Sequence, residues 1–317
     1  QMEDEFSYSV YFHFKAFFGN HSKDKGVGKG PDKSGDLVAG FRPHVAWDLA
    51  TNTILSMTYY HGGVRAPGIL EQYCEQHIFP LFDPRAIQEI YMDSEYTKEA
   101  SLQYFKQIRC PNGDIYLCLK KNKQIKKLIA PALASEDGWE KLDEEDEIKA
   151  IEVRLPNSRL ALKIVILKDL KTCKNIRCFG STNTKLSSQD MLKKYRYRWL
   201  IENGLKDLVY SYFLDEMYGH DPQKIEFEFY CVMVARLTYE HFLKQLGGEH
   251  YHHEDGNKTT LQSMRRLLFE KRNFSLQQGS NGNFVLTLLD SNGNDLERRV
   301  AAMLDKRMKQ GKNRVLC

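Results

Sequence analysis

Ile87-Gln88-Glu89-Ile90-Tyr91-Met92-Asp93-Ser94-Glu95-Tyr96 is the stretch on which the fold turns. Its first six residues form a short apolar run bounded by a polar turn, which reads as a buried strand. The run stops at Asp93, and an aspartate just past such a strand stands at the carboxyl edge of a sheet, where open α/β sheets place their sites. Taken alone, the same aspartate also suits a turn residue before a helix. Upstream, aromatic-rich residues 7–18 read as a strand, and Gly/Lys/Asp-rich residues 19–40 as a flexible loop. Extended runs at 43–49 and 53–60, separated by Thr51-Asn52, suggest a hairpin, so residues 7–60 read as a three-stranded meander. Between the meander and Ile87, residues 67–82 carry Ile69, Leu70, Tyr73, Ile78 and Leu81 at helical spacing. Downstream, Thr97 is placed to cap a helix through Ile108, with Ala100, Leu102, Tyr104 and Phe105 for packing, and residues 115–119 form a further short strand.

Three strands, helix, strand, helix, strand is the order of a ribonuclease H-like α/β core, a mixed sheet flanked by helices. Residues 120–182 depart from it. A lysine run (Lys120, Lys121, Lys123, Lys126, Lys127) and an acidic segment precede alternating runs at 150–155 and 159–167, which reads as a β-rich insertion. Ser187-Ser188-Gln189-Asp190 resembles a capping box opening one long helix to about Phe213. After Asp221-Pro222, residues 225–246 read as a buried helix. A polar His-rich stretch (247–257), a basic helix (261–272), a hairpin (284–296) and a basic end (306–314) complete a helical C-terminal segment. The expected division is 7–119 for the first part of the core, 120–182 for the insertion, 183–246 for core completion and 247–317 for a basic C-terminal segment.

Composition sets the outer bounds. With 317 residues, 42% apolar and 28% charged, the chain can build a packed core of one large or two ordinary domains. No run of 18 apolar residues is present, so no transmembrane helix is expected, and the acidic start lacks the order of a signal peptide. A first residue other than Met points to a fragment or processed chain. Seven scattered cysteines read as reduced thiols, and Cys173 and Cys178 lack a second pair at zinc-ribbon spacing. The expected compartment is therefore the cytoplasm, in association with the nucleoid. A net charge of +4 is compatible with a polyanion partner without demanding one.

The sharpest local pattern is Tyr195-Arg196-Tyr197-Arg198-Trp199-Leu200-Ile201-Glu202. On one helix Tyr195, Arg198, Glu202 and Lys206 follow steps of three, four and four and share a face. A carboxylate with cations a turn away on each side suits a site for metal and phosphate; it equally suits a solvated face with i,i+4 pairs. Together with Asp93-Ser94-Glu95-Tyr96, with Phe179-Gly180-Ser181-Thr182-Asn183 ahead of the Glu-bearing helix, and with His13-Phe14-Lys15-Ala16-Phe17-Phe18-Gly19, this pattern resembles the DDE transposases of insertion sequences, in the group with a β-rich insertion. The resemblance covers roughly residues 8–245.

That resemblance implies metal-dependent cleavage of double-stranded DNA at transposon ends, transfer of the freed 3′-hydroxyl to target DNA, and a homodimer on DNA. It implies two Mg²⁺ or Mn²⁺ ions held by two Asp and one Glu, since hard oxygen ligands select such ions. Asp93 becomes the second Asp, Glu202 the third carboxylate, and Tyr195 and Arg198 contact phosphates or orient the Glu, with Lys206, Lys120 and Lys121 as further DNA contacts. Two positions depart from the family pattern. Val209 stands where a Lys is common, seven residues past the Glu, leaving Lys206 as the nearby substitute. Tyr11 stands where the relatives carry the first Asp, and the nearest alternative carboxylate is Asp48. In a meander Asp48 falls toward the opposite edge from Asp93, as a hairpin-turn residue would. A transposase-derived DNA-binding protein without catalysis, and an unrelated nuclease on the same fold, remain alternatives. An N-terminal DNA-binding region, usual in such transposases, is expected to be missing or to lie in another polypeptide. His250, His252 and His253 sit in a polar linker, and Trp47, Trp139 and Trp199 fit core positions as well as base stacking.

Overall fold

Strand β4 (Leu37–Asp48) is buried along nine consecutive residues, Gly40 through Asp48. Successive side chains of a strand alternate between faces, so Val45 and Trp47 need cover on one side of the sheet while His44 and Ala46 need it on the other. That requirement produces a layer of helices on each face. The computed structural model of the chain describes residues 6–12, 15–16, 27–31, 36–65, 68–171, 175–214, 221–245, 274–278 and 284–288.

β1 (Phe6–Phe12) runs antiparallel to β4, and β5 (Thr53–His61) pairs with β4 antiparallel, which makes the expected meander. The strand read over 7–18 is shorter than expected, with β2 (Lys15–Ala16) following it. The loop read over 19–40 contains β3 (Gly28–Pro31) and the start of β4. Both short strands pair with the first residues of β4, whose length exceeds that of its hairpin partner. The lysines and glycines there masked an alternation too short to detect.

β6 (Ile87–Met92) lies parallel to β1, and β7 (Asp114–Cys118) parallel to β6. Parallel neighbours need crossovers. These are α1 (Leu70–Tyr73), which continues in a wider turn through Cys74–Ile78, and α2 (Glu99–Gln103), which continues likewise through Tyr104–Arg109. Thr97 does not cap α2. Lys98 occupies the N-cap, and the Thr97 hydroxyl donates to Ser94 O at 3.0 Å, closing the preceding turn. Leu70, Tyr73, Leu102 and Phe105 pack with Ile90, Met92, Ile115 and Leu117 in one buried cluster. Each such side chain contributes about 1.5–3 kcal/mol by leaving water.

After β7 come α3 (Lys123–Ala134), β8 (Glu140–Lys141), β9 (Asp146–Arg154), β10 (Ala161–Asp169) and β11 (Ile176–Ser181). The sequence reading missed α3: its apolar face is only Ile125, Ile129 and Ala132, set among lysines and Pro131. β11 pairs antiparallel with β7, and β10 and β9 follow with antiparallel register. Across the sheet the order is β5-β4-β1-β6-β7-β11-β10-β9-β8, and with β2 and β3 this makes eleven described strands in one mixed sheet.

The single long helix expected after Ser187 is two helices, α4 (Ser188–Arg196) and α5 (Trp199–Ser211). Ser187 caps α4 as read, its hydroxyl accepting from Asp190 N at 3.1 Å. At the break the backbone bonds shorten to i→i−3: Tyr197 to Lys194, Arg198 to Tyr195, Leu200 to Tyr197 and Ile201 to Arg198. A tighter turn advances the chain further per residue, so a face computed at 3.6 residues per turn does not carry across it. The helix expected over 225–246 is α6 (Pro222–Gln245), but it is only partly buried. Ile225 and Phe229 are enclosed while Phe227, Tyr230 and Val234 are exposed. An apolar composition all round hid which face packs.

The expected hairpin lies earlier than read, β12 (Phe274–Gln278) pairing with β13 (Phe284–Leu288). The polar stretch 247–257, the basic helix 261–272 and the basic end 306–314 fall outside the described residues. The chain divides into two compact units, residues 1–206 with 215–233, and residues 207–214 with 234–317. In the second unit Arg236 pairs with Asp207 and with Glu240, the latter at 2.7 Å. No described helix is long and apolar enough to cross a membrane.

Candidate active site

Strand register sets the site. Val10 on β1 pairs with Met92 on β6, and Met92 with Leu117 on β7. One residue further along these three parallel strands, Tyr11, Asp93 and Cys118 occupy neighbouring places at the carboxyl edge. Asp93 caps the short turn Ser94–Tyr96, its Oδ1 accepting from Ser94 N at 2.7 Å, and is half-buried.

The Phe179-to-Asn183 segment anchors what lies above this row. Its last residues lock β11 to β7: Thr182 Oγ1 accepts from Ile115 N at 2.9 Å, and Asn183 Nδ2 donates to Asp114 Oδ2 at 2.7 Å. The Phe179 ring packs 5.0 Å from the Tyr195 ring near the end of α4. An ion pair between Lys194 and Glu89 ties the same helix to β6.

Arg198 sits in the break between α4 and α5. Side chains three apart eclipse in a tight turn, and its guanidinium lies over the Tyr195 ring, 5.2 Å from the centroid. It also donates to Glu202 Oε1 at 2.5 Å. Burial works against the Arg198 charge, but the Tyr195 hydroxyl and the Asp93 and Glu202 carboxylates outweigh it and hold its pKa above the ordinary value. Burial pushes the Tyr195 hydroxyl well up, so it is a protonated donor at any physiological pH. Burial, reinforced by Asp93, also raises Cys118 and keeps it a thiol. Asp93, Cys118, Tyr195, Arg198 and Glu202 thus form one electrostatically connected group, with a guanidinium acting on both carboxylates.

α5 approaches the sheet closely because residue 204 is glycine. A Cβ there would stand 2.3 Å from the buried Trp47 ring, so the face of α5 carrying Gly204 rests on β4, while Glu202, half a turn earlier, lies on the other side of the helix and meets Arg198.

Of the residues singled out from sequence, Asp93, Tyr195, Arg198 and Glu202 come together. Lys206, one turn beyond Glu202 on α5, places its ammonium 5.8 Å from the Trp199 ring. Asp48 is separated from the group. It pairs with Tyr8, three residues back along β1 from Tyr11, or about 10 Å at strand spacing. Its carboxylate accepts from Ala50 N at 3.1 Å and Thr51 N at 3.2 Å, and binds the Thr51 hydroxyl, as a hairpin-turn residue does. Lys120 and Lys121 are exposed between β7 and α3. Cys118 was not singled out from sequence, although its place beside Asp93 follows once the two strands are aligned in parallel.

Mg²⁺ is commonly held by one or two carboxylates together with waters and substrate phosphates. Asp93 and Glu202 fit one such ion. Among the described residues no three His, Cys, Asp or Glu side chains are gathered closely enough to hold a metal between them.

A family model described as Transposase DDE domain matches residues 15–238, a span that includes Asp93 and Glu202 and begins after Tyr11. No curated protein matches the chain. Among solved structures it is similar to piggyBac transposase in a cryo-EM synaptic complex with hairpin DNA, at 13% identity and a TM-score of 0.43, covering 64% of this chain. The chain spans 40% of that neighbour's length. With more than half of its residues matched by the family model, the chain belongs to the Transposase DDE domain family.

Proposed function

We propose that the chain is the catalytic domain of a DDE transposase on a ribonuclease H-like core, acting on double-stranded DNA at transposon ends by strand cleavage and strand transfer. The observation that carries this reading is Asp93 at the carboxyl edge of the parallel strands together with the Arg198–Glu202 pair, whose guanidinium is stabilised by the Asp93 charge as well. The order β5-β4-β1-β6-β7, with only β1, β6 and β7 parallel, supports the ribonuclease H-like assignment. The division at residues 119, 182 and 246, a homodimer on DNA and a nucleoid-associated cytoplasmic location belong to the same proposal.

In this reading Asp93 and Glu202 hold one Mg²⁺ or Mn²⁺. Bound there, such an ion activates a water or a 3′-hydroxyl and neutralises charge on the scissile phosphate. Arg198 keeps Glu202 in place and offers positive charge to a phosphate oxygen, while the protonated Tyr195 orients the Arg198 plane. A second reading, a DNA-binding protein that has lost catalysis, is favoured by Tyr11, whose register position beside Asp93 is where a third carboxylate would complete the set.

Calorimetric titration of Mn²⁺ separates the two. The chain is expected to bind one ion, Asp93→Ala to abolish that binding, and Tyr11→Asp to add a second ion together with metal-dependent nicking of supercoiled plasmid. Unchanged binding in Asp93→Ala refutes the site. Nicking by the unaltered chain that requires Asp93 and Glu202 favours the enzyme; nicking only after Tyr11→Asp favours the inactive protein.

A further inference from the structure

A second feature opens on the same sheet edge. The turn that Asp93 caps continues through Ser94 and Glu95 into the wall of an open cleft of about 750 Å³. The opposite walls come from the residues after β5 (Gly62 to Arg65), from β3 and the start of β4 (Lys29, Gly30, Leu37), and from residues after β7 (Lys120, Asn122). Five cations line it, Lys29, Arg42, Arg65, Lys98 and Lys120, against the carboxylates of Glu95 and Glu99.

Those two carboxylates are already engaged. Glu95 forms a two-pronged pair with Arg42 at 3.2 and 3.3 Å. Glu99 accepts from the backbone N–H groups and side chains of Asn157 and Ser158 at 2.6–2.9 Å. Lys29, Arg65, Lys98 and Lys120 are all exposed, and none is ion-paired with a described residue. A concave surface with three more cations than carboxylates is suited to a polyanion. Along the β5 wall, residue 62 must be glycine, since a Cβ there would stand 2.4 Å from the Gly28 and Gly40 carbonyl oxygens.

We infer that this cleft is a track for the phosphate backbone of duplex DNA, with Lys29, Arg65, Lys98 and Lys120 as its contacts and with the strand led across the sheet edge to Asp93. The inference rests on the DNA-processing reading above and adds to it where the duplex lies: on the Ser94 side of Asp93, lined by residues that do not touch Glu202 or Arg198.

Counterion release makes the test specific, because each phosphate contact contributes about 0.9 to the slope of log affinity against log salt. The whole chain is titrated in EDTA against a fluorescent 30-base-pair duplex by anisotropy, between 50 and 300 mM KCl. Single changes Lys29→Gln, Arg65→Gln, Lys98→Gln and Lys120→Gln should each reduce the slope by about 1, and the fourfold variant by about 3 to 4. Lys126→Gln and Lys127→Gln, exposed on α3 but outside the cleft, should leave it unchanged. If the fourfold variant keeps the parent slope, or if the α3 changes lower it equally, the track is wrong while the DNA-processing reading stands. If the unaltered chain binds no duplex at 50 mM KCl, that reading falls with it. Circular dichroism of the fourfold variant, matched to the parent, excludes unfolding as the cause of lost binding.

Discussion

Two residues show how single positions control the site. Arg198 meets Tyr195 because the chain tightens between α4 and α5, and it meets Glu202 four residues on. Lys206, a turn beyond Glu202 on α5, lies over the Trp199 ring, and among the described residues Arg198 is the cation paired with Glu202. Gly204 controls how near α5 comes to β4. A methyl group at that position collides with a Trp47 ring that is fully buried and hydrogen-bonded through Nε1 to Asn52 at 3.1 Å. Gly204→Ala is therefore expected to destabilise the fold by about 1–3 kcal/mol, the usual cost of overpacking, despite the better helix propensity of alanine. A urea midpoint equal to or above that of the parent would show that α5 can lift from Trp47 without loss.

Among the elements, α2 and the β9–β10 connection are joined by Glu99, whose carboxylate collects four hydrogen bonds from Asn157 and Ser158. Partial burial opposes ionisation of Glu99, but these bonds outweigh it and hold the carboxyl below its ordinary value of 4.5. Because the folded value is the lower one, the clasp contributes its full stability above pH 4.5 and loses it as pH falls through the folded value. Thermal melts between pH 3 and 7 should show the parent losing stability more steeply below pH 4.5 than Glu99→Ala. Parallel acid limbs for the two proteins would mean that the clasp adds nothing to the ionised state. Beyond the clasp, the same connection is held by a strand ladder that runs from β10 through β11 to β7, which joins residues 146–181 to the core by backbone bonds as well.

At the scale of the molecule, β4 is covered on both faces, and the cover over it encloses a histidine. His44 is buried, its Nε2 lies 2.8 Å from the Tyr96 hydroxyl, and its ring packs 3.9 Å from that of Tyr73. Burial lowers its pKa well below 6.5, and the neighbouring His77 and Arg42 act in the same direction. The folded protein therefore resists a proton that the unfolded chain takes up, so stability is complete above pH 6.5 and declines as pH falls below it. Urea midpoints across pH 5–8 should decline on the acid side in the parent. In His44→Gln they should be lower at pH 8 yet flatter below 6.5. An equal slope in both proteins would assign the acid sensitivity to other groups.

Apart from β2 and β3, the order of strands and helices through residue 119 was legible because each element carries its own period: Ile87–Met92 as an apolar run, residues 70–78 and 99–109 as spaced apolar faces. Ser187 was legible as a cap because capping chemistry is local. α3 was not, since three apolar positions among lysines give a weak period, and neither was the break at Tyr197, which depends on how α4 and α5 dock on different strands. The candidate site divides in the same way. Asp93, Tyr195, Arg198 and Glu202 are visible in sequence as residue types at fixed spacing. The place of Tyr11 and Cys118 beside Asp93, the removal of Asp48 to the other end of β4 and the convergence of Lys29, Arg65, Lys98 and Lys120 on one cleft are matters of register and crossover. Local periodicity and capping act over a few residues and are written in the chain; which strand ends become neighbours depends on contacts between segments tens of residues apart, and only the folded sheet decides them.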